Sequence, residues 1–582
     1  MSSNAAKGEE GGNAKETAHP SNAQPTTQDG TNLSTATERT SKRPNTRSST
    51  QVALIMLALC FAVFLHALDT TIVTTALPTI TEALHSDATY QWIGSAYLLG
   101  VSATTIVWGK LSDIFGRRPA ILAANITFFA GSLIAALSVD AAMLITARSL
   151  QGIGGAGLNV LANVCIGDLF SPRERGMYYG IVGGVWAVAL SLGPVIGGAF
   201  TEYASWHWCF YINLPFCGIA FVIIFFFLNL ETPKTPFLDG MKAIDWVGVL
   251  LSLGSTLLFL LGLSFGGVSN PWRSATVICL IIFGFLGWAI FFGWEISPVV
   301  NHPLLPVHIF IRISNLAVLG VCFVQSYVFI ASAYYLPLYF QGALGASPIL
   351  SGVYLLPTAI SLSVASIGTG MYMRKTGQYI IPMYIGFFLQ LLGYGLFISL
   401  GSEVNWSKII LYQVIAGLGV GPNFQAPMVA LQSFIAPREV AAATSCFAFT
   451  RNLAGAVSIV IGQVVFQNQI KSRSHDIIAA VGPEVGNKLD GPAAGANVGL
   501  VKGLPHTQRK VIHSAFADSL RDLWIMYTAV SVIALLIMPF IGAKAKLTDE
   551  HKETRTGLEA ERAAKEERQR EKGEHGKGED SG

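Results

Sequence analysis

The sequence predicts an all-α polytopic membrane protein of fourteen transmembrane helices, built as two six-helix halves with a two-helix insertion between them. Three observations carry this. Of 582 residues, 52% are hydrophobic and 13% charged, where a soluble domain carries roughly 25% charged residues. Fourteen apolar segments reach the ~20 residues that a helix needs to cross a bilayer core of ~30 Å. Motifs in the first half recur in the second at a fixed offset.

Residues 1–50 are polar and rich in Ser, Thr, Gly and Asn, so a disordered cytoplasmic tail is expected rather than a cleavable signal peptide. Residues 51–230 hold six spans, near 52–76, 90–108, 119–138, 141–165, 177–200 and 207–229. A linker over 231–312 carries two more, near 244–266 and 275–296. Residues 313–543 hold the second six, near 314–338, 349–371, 379–400, 408–430, 440–464 and 521–543, with a long external loop over 465–520. Residues 544–582 contain ten Lys/Arg and eleven Asp/Glu and form a charged cytoplasmic tail.

Lys and Arg in the short loops set the orientation. With the N-terminus inside, the inner loops carry Lys110, Arg117, Arg118, Arg173, Arg175, Lys234, Lys242, Arg312, Arg374, Lys375 and Arg438, against Arg273 and Lys408 outside. Both termini are therefore placed in the cytoplasm. A net charge of +3 does not point to nucleic acid. The seven cysteines all fall inside apolar spans and do not read as a disulfide framework. No Cys/His cluster has metal-ligand spacing, and neither a metal nor a cofactor is expected. Asn405 opens a glycosylation sequon on the outer side, close against the membrane.

The repeat is visible in short words. SPRERG at 171–176 and APREVA at 436–441 share Pro-Arg-Glu at an offset of 265, and at that offset Gly152 and Gly154 match Gly417 and Gly419. Gly109 and Gly116 are seven apart, as are Gly370 and Gly377. Parallel halves of this kind build transporters, with the substrate site at their interface near the midplane. The G-x-G-x-x-G of QGIGGAG (151–157) lies inside the fourth span with no strand before it. A dinucleotide loop is thereby set aside in favour of close helix packing.

Ionisable residues within a span are functional candidates. Arg148, Gln151 and Asn159 fall on one face of the fourth span, and His66 and Asp69 on one face of the first. Counted at ~1.5 Å per residue, Asp69 and Arg148 both lie ~7 Å to the outer side of the midplane, so a pair is allowed. Arg451 is a third intramembrane charge, near the middle of the thirteenth span.

These stretches resemble the major facilitator superfamily. GKLSDIFGRRPAIL (109–122) resembles its signature loop, RSLQGIGGAG (148–157) its fourth-span motif, and GPVIGG (193–198) its antiporter motif. LDTTIVTTALP (68–78) resembles the first-span motif of the fourteen-span drug:proton antiporters, in the fungal toxin and multidrug exporter branch. The resemblance implies proton coupling through Asp69 and Arg148, and His66 and Arg451, as ionisable residues within spans, are expected to take part. It implies a gating loop of Gly109, Asp113, Gly116, Arg117 and Arg118, with both glycines serving the turn. It implies a kink of Gly193, Pro194, Gly197 and Gly198 along one side of the fifth span. Trp92, Tyr97, Gln151, Asn159, Tyr334, Tyr335, Asn423 and Gln425 are expected to line the substrate site. The expected function is proton-coupled antiport of a small amphipathic organic compound by a monomer in the lipid bilayer. The plasma membrane is expected, with the vacuolar membrane as the alternative. A siderophore-iron or basic amino-acid carrier and a non-transporting sensor are the competing readings. No enzymatic constellation stands out.

Overall fold

The apolar segments become long helices, each opened by a local signal. The structure is a computed structural model. It describes residues 48–84, 89–267, 270–489 and 501–542, apart from positions 229, 231, 232, 234, 301, 306 and 502, together with Leu547 and Gly557. The expected N-terminal tail and almost all of the C-terminal tail lie outside the described residues.

Thirteen helices among the described residues are long and apolar enough to cross a membrane. They are α1 (Ser49–Leu77), α3 (Arg117–Ala136), α4 (Ala141–Leu169), α5 (Pro172–Tyr203), α6 (Trp208–Phe227), α7 (Trp246–Phe265), α8 (Ala275–Ile296), α9 (Ile313–Gly342), α10 (Pro348–Thr376), α11 (Ile380–Phe397), α12 (Trp406–Ser433), α13 (Val440–Ser472) and α14 (His506–Ile541). The fourteenth expected span is α2 (Thr89–Phe115), whose Ser, Thr and Gly content suits a helix walled by other helices. Side-chain caps mark several starts: Asp140 accepts from the amide of Met143 at 2.7 Å, and Asp245 from that of Gly248 at 2.9 Å. Asn405 caps α12, accepting from the amide of Lys408 at 3.1 Å, so the sequon sits directly on a membrane helix.

The segment over 465–520 differs from the expected loop. Helix α13 runs on to Ser472, Ser474–Val481 and Pro483–Lys488 are short helices, and α14 begins at His506. Hydropathy hides these ends because Lys471 of α13 and Arg509 and Lys510 of α14 lie on helices that continue beyond the apolar core.

The halves meet through two equivalent crossings, α5 with α10 and α2 with α13. The repeated glycines lie at equivalent contacts. A Cβ on Gly152 would meet the Tyr97 backbone of α2, and one on Gly417 would meet Thr358 and Ser361 of α10. Gly154 faces Phe128 of α3, and Gly419 faces Gln390 of α11. Gly109 abuts Ser445 across one crossing between halves, and Gly370 abuts Gly176 across the other. The missing side chains let helix backbones approach closely. The insertion pair, α7 and α8, packs on itself and against α2 and α13, with Trp92 on Phe265 and Trp288 on Phe449.

Candidate functional site

Helix α1 breaks at Ile72 and resumes at Val73. One turn before the break stands Asp69, fully buried. Arg148 of α4, only 1% exposed, pairs with it. The guanidinium uses all its faces. Nη1 donates to Asp69 Oδ2 and to Gln151 Oε1 (2.9 Å), Nη2 to the Asp69 carbonyl (3.2 Å), and Nε to the Ile93 carbonyl (3.2 Å). Its plane lies over the Tyr97 ring, 4.4 Å from the centroid. The other carboxylate oxygen accepts from Gln151 Nε2 (3.2 Å) and Asn213 Nδ2 (3.0 Å). Buried charge is tolerated where it is paired and hydrogen-bonded in this way.

A chain of contacts leads outward from the pair. Tyr97 Oη meets His66 Nδ1 at 2.9 Å, and His66 in turn lies edge-on to Trp186. His66, Thr70 and Thr71 line a cavity of about 780 Å³ whose walls come from both halves. Trp186, Phe329, Phe424 and Ile330 form an apolar wall, while Ser102, Ser326, Asn452 and Gln463 supply polar points. The cavity extends toward the end that carries Leu77, Gly345 and His513, which the loop charges place outside.

The opposite end is shut. Val160 and Val164 of α4 pack against Ala441 and Ala448 of α13. Gln432 Nε2 bridges the Tyr179 hydroxyl (2.9 Å) and the Thr444 hydroxyl (3.0 Å). Arg173 donates to the carbonyls of Arg374 and Lys375 at the end of α10, both at 2.7 Å. These contacts close this end of the interface between the halves, and the cavity lies toward the other end.

Comparison with known proteins fits this architecture. Residues 59–459 match the family described as Major Facilitator Superfamily. The chain belongs to the major facilitator superfamily. It is 64% identical to the MFS-type transporter ppz2 of Metarhizium majus over 90% of both chains. It is 51% identical to the efflux pump dotC of Dothistroma septosporum over 88% of both. Among solved structures, the major facilitator proton:xylose symporter XylE shares the fold, with a TM-score of 0.52, 14% identity, and coverage of 87% of this chain and 99% of that one. The protein is an integral membrane transporter.

Against this major facilitator frame, several expected residues move. Arg117, 1% exposed, donates from Nε to Asp168 (2.6 Å) and from Nη1 to Asp113 (2.6 Å) and Ser112 (2.8 Å). Asp168 was not singled out from sequence, since it lies 51 residues away on α4. Gly116, at φ 97, makes the turn into α3. Gly109 does not: it lies within α2 against Ser445, a close approach rather than a turn. Arg118 does not join the Arg117–Asp113–Asp168 latch, donating instead to the Phe225 carbonyl and stacking on that ring. The next position on a helix points some 100° away from Arg117.

In the kink, Pro194 removes the donor for the Leu190 carbonyl. The Thr71 hydroxyl of α1 reaches that carbonyl at 3.4 Å, and Thr75 reaches the Pro194 carbonyl at 3.4 Å. Gly193 and Gly197 face α1 at its break, whereas Gly198 turns to Ile349 of α10. Adjacent helix positions diverge, so the four do not share one side.

Of the expected lining residues, Tyr334 and Tyr335 face the cavity. Trp92, Tyr97, Gln151, Asn159, Asn423 and Gln425 are not among those that line it. Trp92 meets the insertion at Phe265, Tyr97 and Gln151 serve the ion pair, and Asn159 is buried in α4. Asn423 donates to the Gly419 carbonyl at 3.2 Å, and Gln425 is buried in α12. Arg451 stands apart from Asp69 and Arg148, on the cavity wall. Trp186, Phe329, Phe424, Asn452 and Asn213 were missed. Only the polarity of Asn213 and Asn452 within apolar segments gave a signal, because an aromatic in a span more often packs than binds.

Proposed function

We propose that this transporter exports a small amphipathic organic compound in exchange for protons, by alternating access. The observation that carries the reading is the buried Asp69–Arg148 pair, separated from the cavity by His66, Tyr97 and Thr70. Proton uptake at Asp69 would release Arg148 and its partners. That would loosen α1 against α4 beside the Pro194 kink, where α1 crosses α5. A proton crossing 100 mV yields ~2.3 kcal/mol, enough to bias such a change. The relatives named as efflux pumps support outward transport. Both halves of one chain line the cavity, which supports a monomeric working unit. The cavity size matches the ~300–1,000 Å³ of small-molecule sites. Its described lining holds no carboxylate, which does not favour a basic amino acid as cargo.

The test is Asp69→Asn, reconstituted in proteoliposomes under an imposed pH gradient and normalised to folded protein. Gradient-driven export should be lost while the protein still reaches the membrane. Wild-type gradient-driven rates would remove Asp69 from coupling.

A further inference from the structure

Arg451 is a cation in the middle of a membrane helix, and such a group is normally paired. It forms no ion pair among the described residues. Nη2 donates to the Phe424 carbonyl, and Nε is buried with no hydrogen-bond partner. The guanidinium lies over two rings, 4.4 Å from the centroid of Phe424 and 5.0 Å from that of Phe447. Those faces orient the side chain without supplying a full counter-charge.

The rest of the cavity repeats the sign. Its described lining contains a second cation, Arg509, and no Asp, Glu or Lys. The nearest buried acid on α1, Asp69, is sealed from the cavity and already held by Arg148, Gln151 and Asn213. Beside Arg451 runs an aromatic wall. Phe424 meets Trp186 at 5.9 Å and Phe329 at 5.5 Å between centroids. Asn452, the next residue after Arg451, also lines the cavity, its amide donating to Thr105 at 3.1 Å.

We propose that the cargo is an aromatic organic acid, whose ionised carboxylate or phenolate is held by Arg451 while its ring lies on the Trp186–Phe424–Phe329 wall. The proposal rests on the export reading and narrows its substrate class. An anion supplies the counter-charge that the helix lacks, and the planar fork suits a carboxylate held by two parallel hydrogen bonds. A neutral ligand of the same shape leaves the guanidinium uncompensated, and a cation adds repulsion. Arg451 is thereby assigned to cargo recognition, separate from the Asp69–Arg148 pair.

The experiment compares naphthoate, naphthamide and naphthylmethylammonium, which share a ring system and differ in charge. Binding is read by naphthalene fluorescence with the full chain in lipid nanodiscs at neutral pH. Naphthoate should bind about tenfold or more tightly than either other probe, the scale of a hydrogen bond to a charged group. In Arg451→Gln the preference should collapse to near unity with naphthamide binding unchanged. Arg451→Lys should retain part of it, and this variant decides the matter if the glutamine protein does not fold. Equal affinities, a preference for the ammonium, absent naphthoate binding, or an undiminished preference in the Arg451 variants would overturn the assignment. Proton-driven export by the same wild-type preparation is measured separately. Export without anion preference leaves the transport reading standing alone; Arg451-dependent naphthoate binding without proton-driven flux leaves the anion site standing alone.

Discussion

Replacing Arg148 by lysine keeps the charge and should still cripple the protein. Arg148 serves four acceptors on three different sides: Asp69 Oδ2, Gln151 Oε1, the Asp69 carbonyl and the Ile93 carbonyl. A lysine ammonium offers three donors from a single atom and cannot span that set. Holding the carboxylate and one further group would leave two of the four hydrogen bonds from the charged group unmade. Each such loss costs about 1–3 kcal/mol, so the pair costs about 2–6 kcal/mol. Loss of the stack on Tyr97 adds about 0.5–2 kcal/mol. Taking ~3 kcal/mol as the part that relaxation does not recover, gradient-driven export should fall roughly a hundredfold, at 1.4 kcal/mol per decade. The melting temperature in detergent should fall with it. Export is measured in proteoliposomes under an imposed pH gradient, per folded molecule. A lysine variant within about twofold of wild type, with an unchanged melting temperature, would show that only the charge matters and that the fork geometry does not.

Three further outcomes follow from the same contacts. Asp69→Asn alone leaves the Arg148 charge buried without its partner, which costs about 3–5 kcal/mol. Adding Arg148→Gln should restore much of the melting temperature but none of the gradient-driven export, and recovery of export would refute a coupling role for the pair. At Gly155, a Cβ would sit 2.8 Å from Tyr97 Oη and 3.0 Å from His66 Nδ1. Gly155→Ala should separate these two groups and slow export severalfold, whereas Gly94→Ala, with nothing within 4 Å, should be neutral in the same flux assay. Arg117→Ala strands Asp168 and Asp113 beside the closed end and should lower the melting temperature by an amount that Asp168→Asn partly returns. No rescue in the double variant would show that Arg117 acts through something other than this latch.

Hydropathy set the span count, because bilayer thickness imposes one length on every helix wherever it sits, and the repeated motifs set the two-half plan. The Asp69–Arg148 pair was legible for a related reason: depth follows from counting residues along a straight helix. The glycines at 152, 154, 417 and 419 were legible as packing sites, since the repeat places them at equivalent crossings. Which face of each helix meets the cavity was not. In α4 twenty of 29 residues are buried, from Leu144 through Asp168, so the helix carries no apolar stripe from which a direction can be read. Gln151 therefore looked like a lining residue and instead holds the ion pair, as does Tyr97 of α2. Asn213, Asp168 and Phe424 acquire their roles only through partners 51 to 144 residues away, or from the far half of the chain. Helix rotation, the break at Ile72 and the closure of one end decide those meetings. Each depends on how neighbouring helices pack, which no local periodicity encodes.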